Sequence, residues 1–529
     1  MALASASYAQ DNYSIPVDSW IYPAIEQLQT RGYLLDLSPG FKPYRRMDVA
    51  EALQLLIEEK DVSRLPKTDR WLIQKLQEEF RNDMRVLRVR KAHPDTSITS
   101  ARVSEEDFLN LAKGDYQTFK YANKLEFRPE LRTGFGLSLG NHLLLYTDAT
   151  IDQTLKDDTL YTGSTKFGLD ALTQQAYVRY SSRYWDFTFG RDYLSWGYGD
   201  QGKVLISSTP GPFNMASLFV DTKAVKFNWF VAQLNQMPAY TLQDTANLTG
   251  IPLANRYLTG SRFEFNIANE LFLGAYQAAT FGGVNSPIDL EIINPLRVTY
   301  ETEANSHKNL NAFLGSDLSL YWPRDVNFYA DFMIDDWAVD HKTVGDLSPN
   351  KYSINMGLKL ADPLVAEGIG GTNAQIEFWM VRNRTYNEYD WVSYQKLLFN
   401  NYPVATPYGD DFWDIDFRLS QWLTKSWELS VEAMHMEHGS MNMYGPYTMP
   451  WLSVASVQLG YHEPFPYGVI QETNIYGLHL MYQPGPQFYG SLQMDYSDNR
   501  NFDYVSGLGH SQFSFLLTIY YELSRSFSF

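Results

Sequence analysis

The stretch WDIDFRLSQWLTKSWELSVEA, residues 413–433, decides the fold. Trp413, Ile415, Phe417 and Leu419 fall on alternate positions, and Asp414, Asp416 and Arg418 lie between them. After Thr424-Lys425-Ser426 the pattern resumes, with Trp427, Leu429, Val431 and Ala433 opposed by Glu428, Ser430 and Glu432. A period of two places alternate side chains on opposite faces of a β-strand. This hairpin therefore has one apolar face and one charged face. A sandwich core would not hold so many carboxylates without partners, whereas a wet lumen behind an apolar outer wall would.

The pattern recurs along the chain. In LSLYWPRDVNFYADFMID (318–335), Leu318, Leu320 and Trp322 alternate with Ser319 and Tyr321. Beyond Pro323-Arg324-Asp325, Val326, Phe328, Ala330, Phe332 and Ile334 oppose Asn327, Tyr329, Asp331, Met333 and Asp335. Phe488, Leu492, Met494 and Tyr496 oppose Tyr489, Ser491, Gln493 and Asp495. The end of the chain, FSFLLTIYYELSRSFSF (513–529), sets Phe513, Phe515, Leu517, Ile519, Tyr521 and Leu523 on one face. These six are expected to touch lipid, with the strand closing against a first strand near 121–128 and Phe529 marking the end for insertion.

Composition agrees. Aromatic residues make up 15% of the 529, yet mean hydropathy is only −0.33, and no apolar run is long enough to span a bilayer as a helix. A transmembrane barrel combines these features, because only every second residue meets lipid and aromatic girdles mark both interfaces. The net charge of −18 argues against nucleic acid as a partner. The absence of cysteine excludes disulfides, thiolate metal sites and cysteine nucleophiles.

The reading is a mostly β protein: a transmembrane antiparallel β-barrel of about 18 strands with a small N-terminal α-helical domain. Residues 1–11 read as a signal-peptide remnant and tail. Ser7-Tyr8-Ala9 has the small-residue end of a secretory signal without its charged start or apolar core. Residues 12–118 read as a periplasmic helical domain and linker, and 119–529 as the barrel. Ile21, Ile25 and Leu28 share one helical face between Ser19 and Gly32, as do Ile73, Leu76 and Phe80 further on. Short turns near 183, 222, 268, 324, 425 and 485 fall on the side expected to be periplasmic. Long segments near 152–171, 195–214, 234–258, 281–310, 336–350, 385–410 and 498–511 fall on the opposite side. The alternating stretch 451–462 would reverse every upstream loop if it spanned, so 438–472 is read as one long excursion. The turn at 361–373 falls on the same side as the short ones but is longer than they are.

Several stretches in order resemble the Wzi family of capsule-assembly outer-membrane proteins. They are GRDYLSWGYG (190–199), LISS (205–208), RYLTGSRFEFNIANELFLGAYQAATFGG (256–283), LEIINPLR (290–297), FLGSDLSLYWP (313–323) and FYADFMIDDW (328–337). RGYLLDLSPGFKPYRRMDVAEALQLL (31–56) fits as well. The resemblance implies an 18-stranded outer-membrane barrel with a periplasmic helical bundle and lectin-like binding of capsular polysaccharide at the cell surface. It does not name the polysaccharide.

Sugars offer C–H faces and hydroxyl edges, so a site for them needs flat aromatic platforms beside planar polar groups. Tyr386, Tyr389, Trp391 and Tyr394 in the 385–410 loop supply the first, interleaved with Asn387, Glu388 and Asp390. Trp196 and Tyr198 in SWGYGD, with Arg191 just before, form a second candidate. For the 385–410 aromatics the plainer alternative is an interfacial girdle or loop packing. SWGYGD reads as a sugar platform, a loop folded into the lumen, or a tight turn made by its glycines. Asp317, Asp331, Asp335, Asp414 and Asp416 read first as a solvated lumen wall. His435 and His438 suggest a metal pair only weakly, since they lie on a strand end. No His-Glu-x-x-His or phosphate loop occurs, and the one Gly-x-Ser-x-Gly match, GLSLG at 136–140, lies in an alternating strand-like stretch.

The expected function is thus non-catalytic, cofactor-free binding of capsular polysaccharide or exopolysaccharide. The expected partners are outer-membrane lipid and capsule-export machinery. The alternatives are a diffusion channel (porin) for sugars or other small solutes, and a barrel hydrolase.

Overall fold

The structure is a computed structural model. It describes residues 12–528 apart from 93–100, 120–121, 128–129, 140–141, 153–162, 167, 201, 240–250, 269, 307, 340 and 366–367. Residues 1–11, read above as a signal remnant and tail, and Phe529 lie outside the described residues. The barrel strands are β1 (Ala101–Phe119), β2 (Ala122–Phe127 and Glu130–Leu139), β3 (Leu143–Asp152), β4 (Asp170–Ser181), β5 (Trp185–Asp192) and β6 (Phe213–Asp221). Next come β7 (Val225–Pro238), β8 (Leu253–Ile267), β9 (Leu271–Val284), β10 (Leu310–Leu320), β11 (Val326–Asp336) and β12 (Lys351–Ala361). The last six are β13 (Thr372–Val381), β14 (Phe412–Thr424), β15 (Trp427–His438), β16 (Gln471–Gly485), β17 (Phe488–Arg500) and β18 (Gly509–Ser528). Nineteen strand segments close this barrel among the described residues; the two segments of β2 lie end to end against β1, which leaves eighteen staves. Each pairs antiparallel with its neighbours, and β18 closes on β1, with Gly114 opposite Leu517 and Leu109 opposite Tyr521. Closure matters because an open edge in hydrocarbon leaves backbone groups unpaired at several kcal/mol each.

The first strand lies earlier than expected. β1 occupies 101–119, within the stretch read as linker, and the 121–128 region belongs to β2. A register shift between Asn110 and Ala112 puts an extra residue into β1. That interrupts the two-residue period on which the reading relied.

The alternating faces stand as read. Ile415, Phe417 and Val431 are exposed on the outer wall, while Asp414 and Asp416 are buried inside. In β18, Phe513 and Leu517 are exposed, and Leu516, Thr518, Tyr520 and Glu522 line the lumen. Apart from the close β1–β2 connection and the longer one at 362–371, the connections divide as anticipated into short turns at one end and long loops at the other. Residues 439–470 form one excursion, in which 450–453 and 457–459 are 3-10 turns rather than strand.

Four helices precede the barrel: α1 (Ile21–Thr30), α2 (Arg46–Glu59), α3 (Lys67–Glu79) and α4 (Arg81–Ala92). The apolar face predicted from spacing is the core: Ile25, Leu28, Leu53, Ile73, Leu76 and Phe80 are fully enclosed. The fourth helix was not anticipated; its sequence RNDMRVLRVRKA carries too few apolar residues to show a stripe. This domain sits at the short-turn end. Arg31 reaches three carboxylates there: Asp69 of α3 at 3.2 Å, Asp325 in the β10–β11 turn at 3.3 Å, and Asp362 in the β12–β13 turn. Lys75 lies 4.7 Å over the Trp422 ring, and the Trp422 indole donates to Gln27 at 3.1 Å.

The segment between α1 and α2 enters the lumen. At Gly40 an added Cβ would meet the side-chain tips of Glu264 and Arg262 of β8, so any larger residue would have to displace them. The wholly enclosed Arg262 donates to the Gly40 carbonyl at 2.9 Å, to Glu264 at 3.1 Å and to Asp317 of β10 at 2.8 Å. Its guanidinium lies 4.4 Å over the Phe41 ring. The lumen here is a packed polar network, not the solvated wall expected from the inward aspartates. Asp317 faces Arg262, Asp331 accepts from the Tyr276 hydroxyl, and Asp335 accepts from the Tyr386 amide at 2.6 Å.

Two outcomes follow from this packing. Arg262→Met leaves Asp317 and Glu264 buried without their cation, which costs on the order of 3–5 kcal/mol. The variant should lose its heat-modifiable folded form at a lower temperature than the parent, and an unchanged midpoint would contradict the role given to Arg262. Asp69 supplies the second. Burial pushes its carboxyl up to about 6, against Arg31, because Asp362 and Asp325 share that one guanidinium. A raised carboxylate stabilises docking fully below its unfolded pKa near 4, and that contribution is lost as pH rises through about 6. Hydrogen exchange in α3, corrected for intrinsic rates, should therefore show more protection at pH 5 than at pH 8. Asp69→Asn should remove that trend.

Candidate functional site

At the long-loop end, two loops fold inward and meet the N-terminal segment. The 193–212 loop turns into the lumen, where Ser195–Trp196 pairs with Phe41–Lys42 as a two-stranded patch. Trp196 is buried against Phe230, ring centroids 5.4 Å apart, and its indole donates to Asn228 at 3.0 Å. Tyr198 is also buried; its hydroxyl donates to Glu264 at 3.2 Å. SWGYGD is therefore the loop folded into the lumen, one of the three readings of that motif. Arg191 is not with them. It follows the outward positions of β5 and donates to the Thr173 carbonyl at 2.8 Å.

The 382–411 loop closes over this patch. The Lys203 amide bonds to the Ala405 carbonyl at 3.3 Å, Ser207 to Val404 at 3.0 Å, and the Tyr386 hydroxyl to the Val204 carbonyl. Arg256 of β8 spends its donors on the loop's Tyr394, Lys396 and Leu398 carbonyls. Tyr386 is fully buried, and Tyr394 is buried with its hydroxyl taking a hydrogen bond from Asn309 at 2.7 Å.

Tyr389 and Trp391 are different. Both are half-buried, and their rings stack with centroids 4.7 Å apart and planes 3° from parallel. Tyr447 sits 4.7 Å from Tyr389, and Trp451 continues the row 6.3 Å beyond. Arg384 fixes the back of this row. It lies 5.1 Å over the Trp451 ring and pairs with Glu463 at 2.7 Å. Asp390 accepts from the Tyr447 amide at 3.0 Å, and Glu388 lies 3.6 Å from Lys351. Tyr447, Trp451 and Glu463 all come from the 439–470 excursion. The sequence reading did not single them out, although the spacing of aromatics and prolines in YGPYTMPW (444–451) is a signal that could have found them.

Of the candidate residues, the fold thus brings Tyr389 and Trp391 to a partly open surface. Trp196, Tyr198, Tyr386 and Tyr394 hold the loops from beneath, and Arg191 stands apart.

A cavity of about 930 Å³ lies on the other side of the lumen, between α1 and the wall of β13–β18 and β2. Asp200, at the tip of the 193–212 loop, meets Lys359 at 3.1 Å and Arg418 at 3.7 Å along its edge. Burial opposes ionisation of Asp200, but these cations outweigh it and hold its carboxyl well below the usual range. Lys359 also reaches Glu26 of α1 at 3.3 Å, so a chain of alternating charges joins the loop to the helical domain. His435 and His438 do not form a metal pair: His435 bonds Asn474 at 2.9 Å on the outer face, and His438 bonds Tyr504 from the inner one. Among the described residues no group of three or more metal-ligating side chains gathers.

A model of the capsule assembly protein Wzi family matches residues 122–512. Among solved structures, Wzi of Escherichia coli, a carbohydrate-binding β-barrel of the outer membrane involved in group 1 capsule assembly, aligns with a TM-score of 0.59. It is 14% identical, and the alignment covers 97% of this chain and 99% of that one. Two Pseudomonas aeruginosa proteins align over a smaller share. OccK8 (OprE) does so at 8% identity with a TM-score of 0.45, covering 81% of this chain and 99% of its own. The outer membrane protein OprD does so at 13% with 0.44, covering 80% and 94%. No curated protein matches the sequence. With the family model spanning most of a closed barrel, this chain belongs to the Wzi family of outer-membrane capsule assembly proteins.

Proposed function

We propose that the protein binds capsular or other surface polysaccharide and holds it at the cell surface without cleaving it. The helical domain faces the periplasm and the long loops face outward. The stacked pair Tyr389 and Trp391 carries the reading: two flat rings, half-open, flanked by Asp390 and Glu388, suit the C–H face of a sugar and its hydroxyls. Trp196, Tyr198, Tyr386 and Tyr394 act as positioning residues beneath it. The carbohydrate binding described for Wzi of Escherichia coli supports the same assignment.

The packed network around Arg262 supports an anchor over a diffusion channel, because the N-terminal segment and two loops occupy that part of the lumen. The polymer segment at the row is neutral and rich in hydroxyls. Arg384 is committed to Glu463 and Arg256 to loop carbonyls, so the nearby guanidiniums are already engaged. Each contact is weak, with a Kd between about 1 mM and about 1 μM, and a long polymer gains by engaging neighbouring copies. The periplasmic face of the helices is where capsule-export machinery would dock.

Three measurements test this reading together. Trp391→Ala should release several-fold more capsule from cells while the folded, heat-modifiable barrel stays at parental level. The native chain has no cysteine. Asn400→Cys should therefore be labelled by an impermeant reagent on intact cells, and Lys425→Cys only after the outer membrane is opened. The purified protein should show no steady open-pore conductance in a planar bilayer. Normal capsule retention by Trp391→Ala combined with open-pore currents would favour the channel instead.

A further inference from the structure

The connection between β9 and β10, residues 285–309, does not stand up from the rim. It folds back over the outside of the barrel. The Trp229 indole, on the outer face of β7, donates to the Ile293 carbonyl at 2.9 Å. Ile292, Ile293 and Tyr300 pack on the outward-facing Ala279, Phe281, Leu310 and Ala312. A short helix, α5 (Thr299–Ser306), lies within this cover.

Beside this apolar patch, part of the wall beneath is polar where a lipid-facing wall should not be. Outward positions of β8 and β9 there carry Thr259, Ser261 and Gln277, and Thr259 and Ser261 are buried although they point away from the lumen. Gln277 donates to Ser261 at 3.2 Å and to the Arg297 carbonyl at 2.8 Å, and it accepts from the Thr299 amide at 2.9 Å. Ser261 and Gln277 pair across the strands, six residues from the short-turn ends at Ile267 and Leu271. With about 3.4 Å per residue and a tilt of roughly 40°, that is about 15 Å up a band roughly 25 Å tall. These polar groups thus lie at hydrocarbon depth, where leaving them unpaired is costly.

The outer surface of the cover has the opposite character. Leu290 and Leu296 are each 78% exposed, with Ile288 and Val298 also open beside them. Five charges of the segment are turned on one another: Lys308 pairs with Asp289 at 2.7 Å, and Arg297 with Glu291 at 2.5 Å and Glu301 at 2.9 Å, while Glu303 faces Lys351, Asp336 and Glu388. The apolar surface continues the exposed wall at Leu314 and Phe265.

We propose that residues 285–309 are seated in the bilayer leaflet on the long-loop side, replacing a polar stretch of wall with a lipid-facing one, and that Leu290 and Leu296 contact acyl chains. The assignment is independent of whether the aromatic row binds sugar. Spin labels at Leu290→Cys and Leu296→Cys test it in phosphatidylethanolamine–phosphatidylglycerol vesicles. Leu314→Cys serves as the wall reference and Asn400→Cys as the aqueous one. Labels at 290 and 296 should match 314, with the ratio of oxygen to nickel-chelate accessibility several-fold above that at 400. A ratio like that at 400 would overturn the proposal in favour of an aqueous loop. Exclusion of both reagents would overturn it in favour of a protein contact, and spin–spin broadening would identify a second copy. Should the substitutions impair folding, the unmodified protein in vesicles containing an acyl-chain diazirine should acquire label within 285–309. Absence of label there, with label on β17 and β18, would equally overturn it.

Discussion

The guanidinium of Arg262 is the contact on which the arrangement of the lumen depends. One side chain on β8 holds Asp317 of β10, its own neighbour Glu264, and the carbonyl of Gly40 from a different domain. A buried cation needs partners on every side, and here they come from the wall and the N-terminal segment at once. That geometry holds the segment against β8, where a side chain at residue 40 would have to displace the Arg262 and Glu264 tips. The Phe41–Lys42 pairing with the 193–212 loop follows from it, and so does the seat for the 382–411 loop above.

The barrel was legible because its physics is local. Each hairpin such as 413–433 repeats the same alternation, and turn lengths alone separate the two ends. The excursion at 438–472 was recoverable only by parity, since WLSVASVQLGYH alternates like a strand but folds as 3-10 turns. β1 was missed because its register shift breaks that parity from within. The site was harder. Tyr389 and Trp391 carried a visible signal, but whether an aromatic is a platform or a prop depends on what lies above it. Trp196 and Tyr386 have the same composition around them in sequence and are buried by loops distant in the chain. Likewise the inward aspartates looked like a wet wall because nothing in β10 or β11 announces that Arg262 and Tyr276 will face them.

Function and scaffold are divided between the two halves of the molecule. On the β7–β12 side the lumen is packed, and it supports the loops that carry the aromatic row. On the β13–β18 side a cavity remains, bordered by the alternating charges of Glu26, Lys359, Asp200 and Arg418. That chain of ion pairs joins the tip of an inward loop to the helical domain, so the two ends of the barrel share one electrostatic network.

The closure of β18 on β1 has a consequence for biogenesis. The two strands are the last and first staves, so their pairing carries the largest loop-closure entropy in the barrel. The segment at Gly40, which precedes both, reaches β8 from the short-turn end, where the helical domain sits, while an inward loop meets it from the other end. The seam between β18 and β1 joins the strands most distant in the chain, so it is the pairing whose formation asks most of the chain and the one that fixes the segment inside a closed wall.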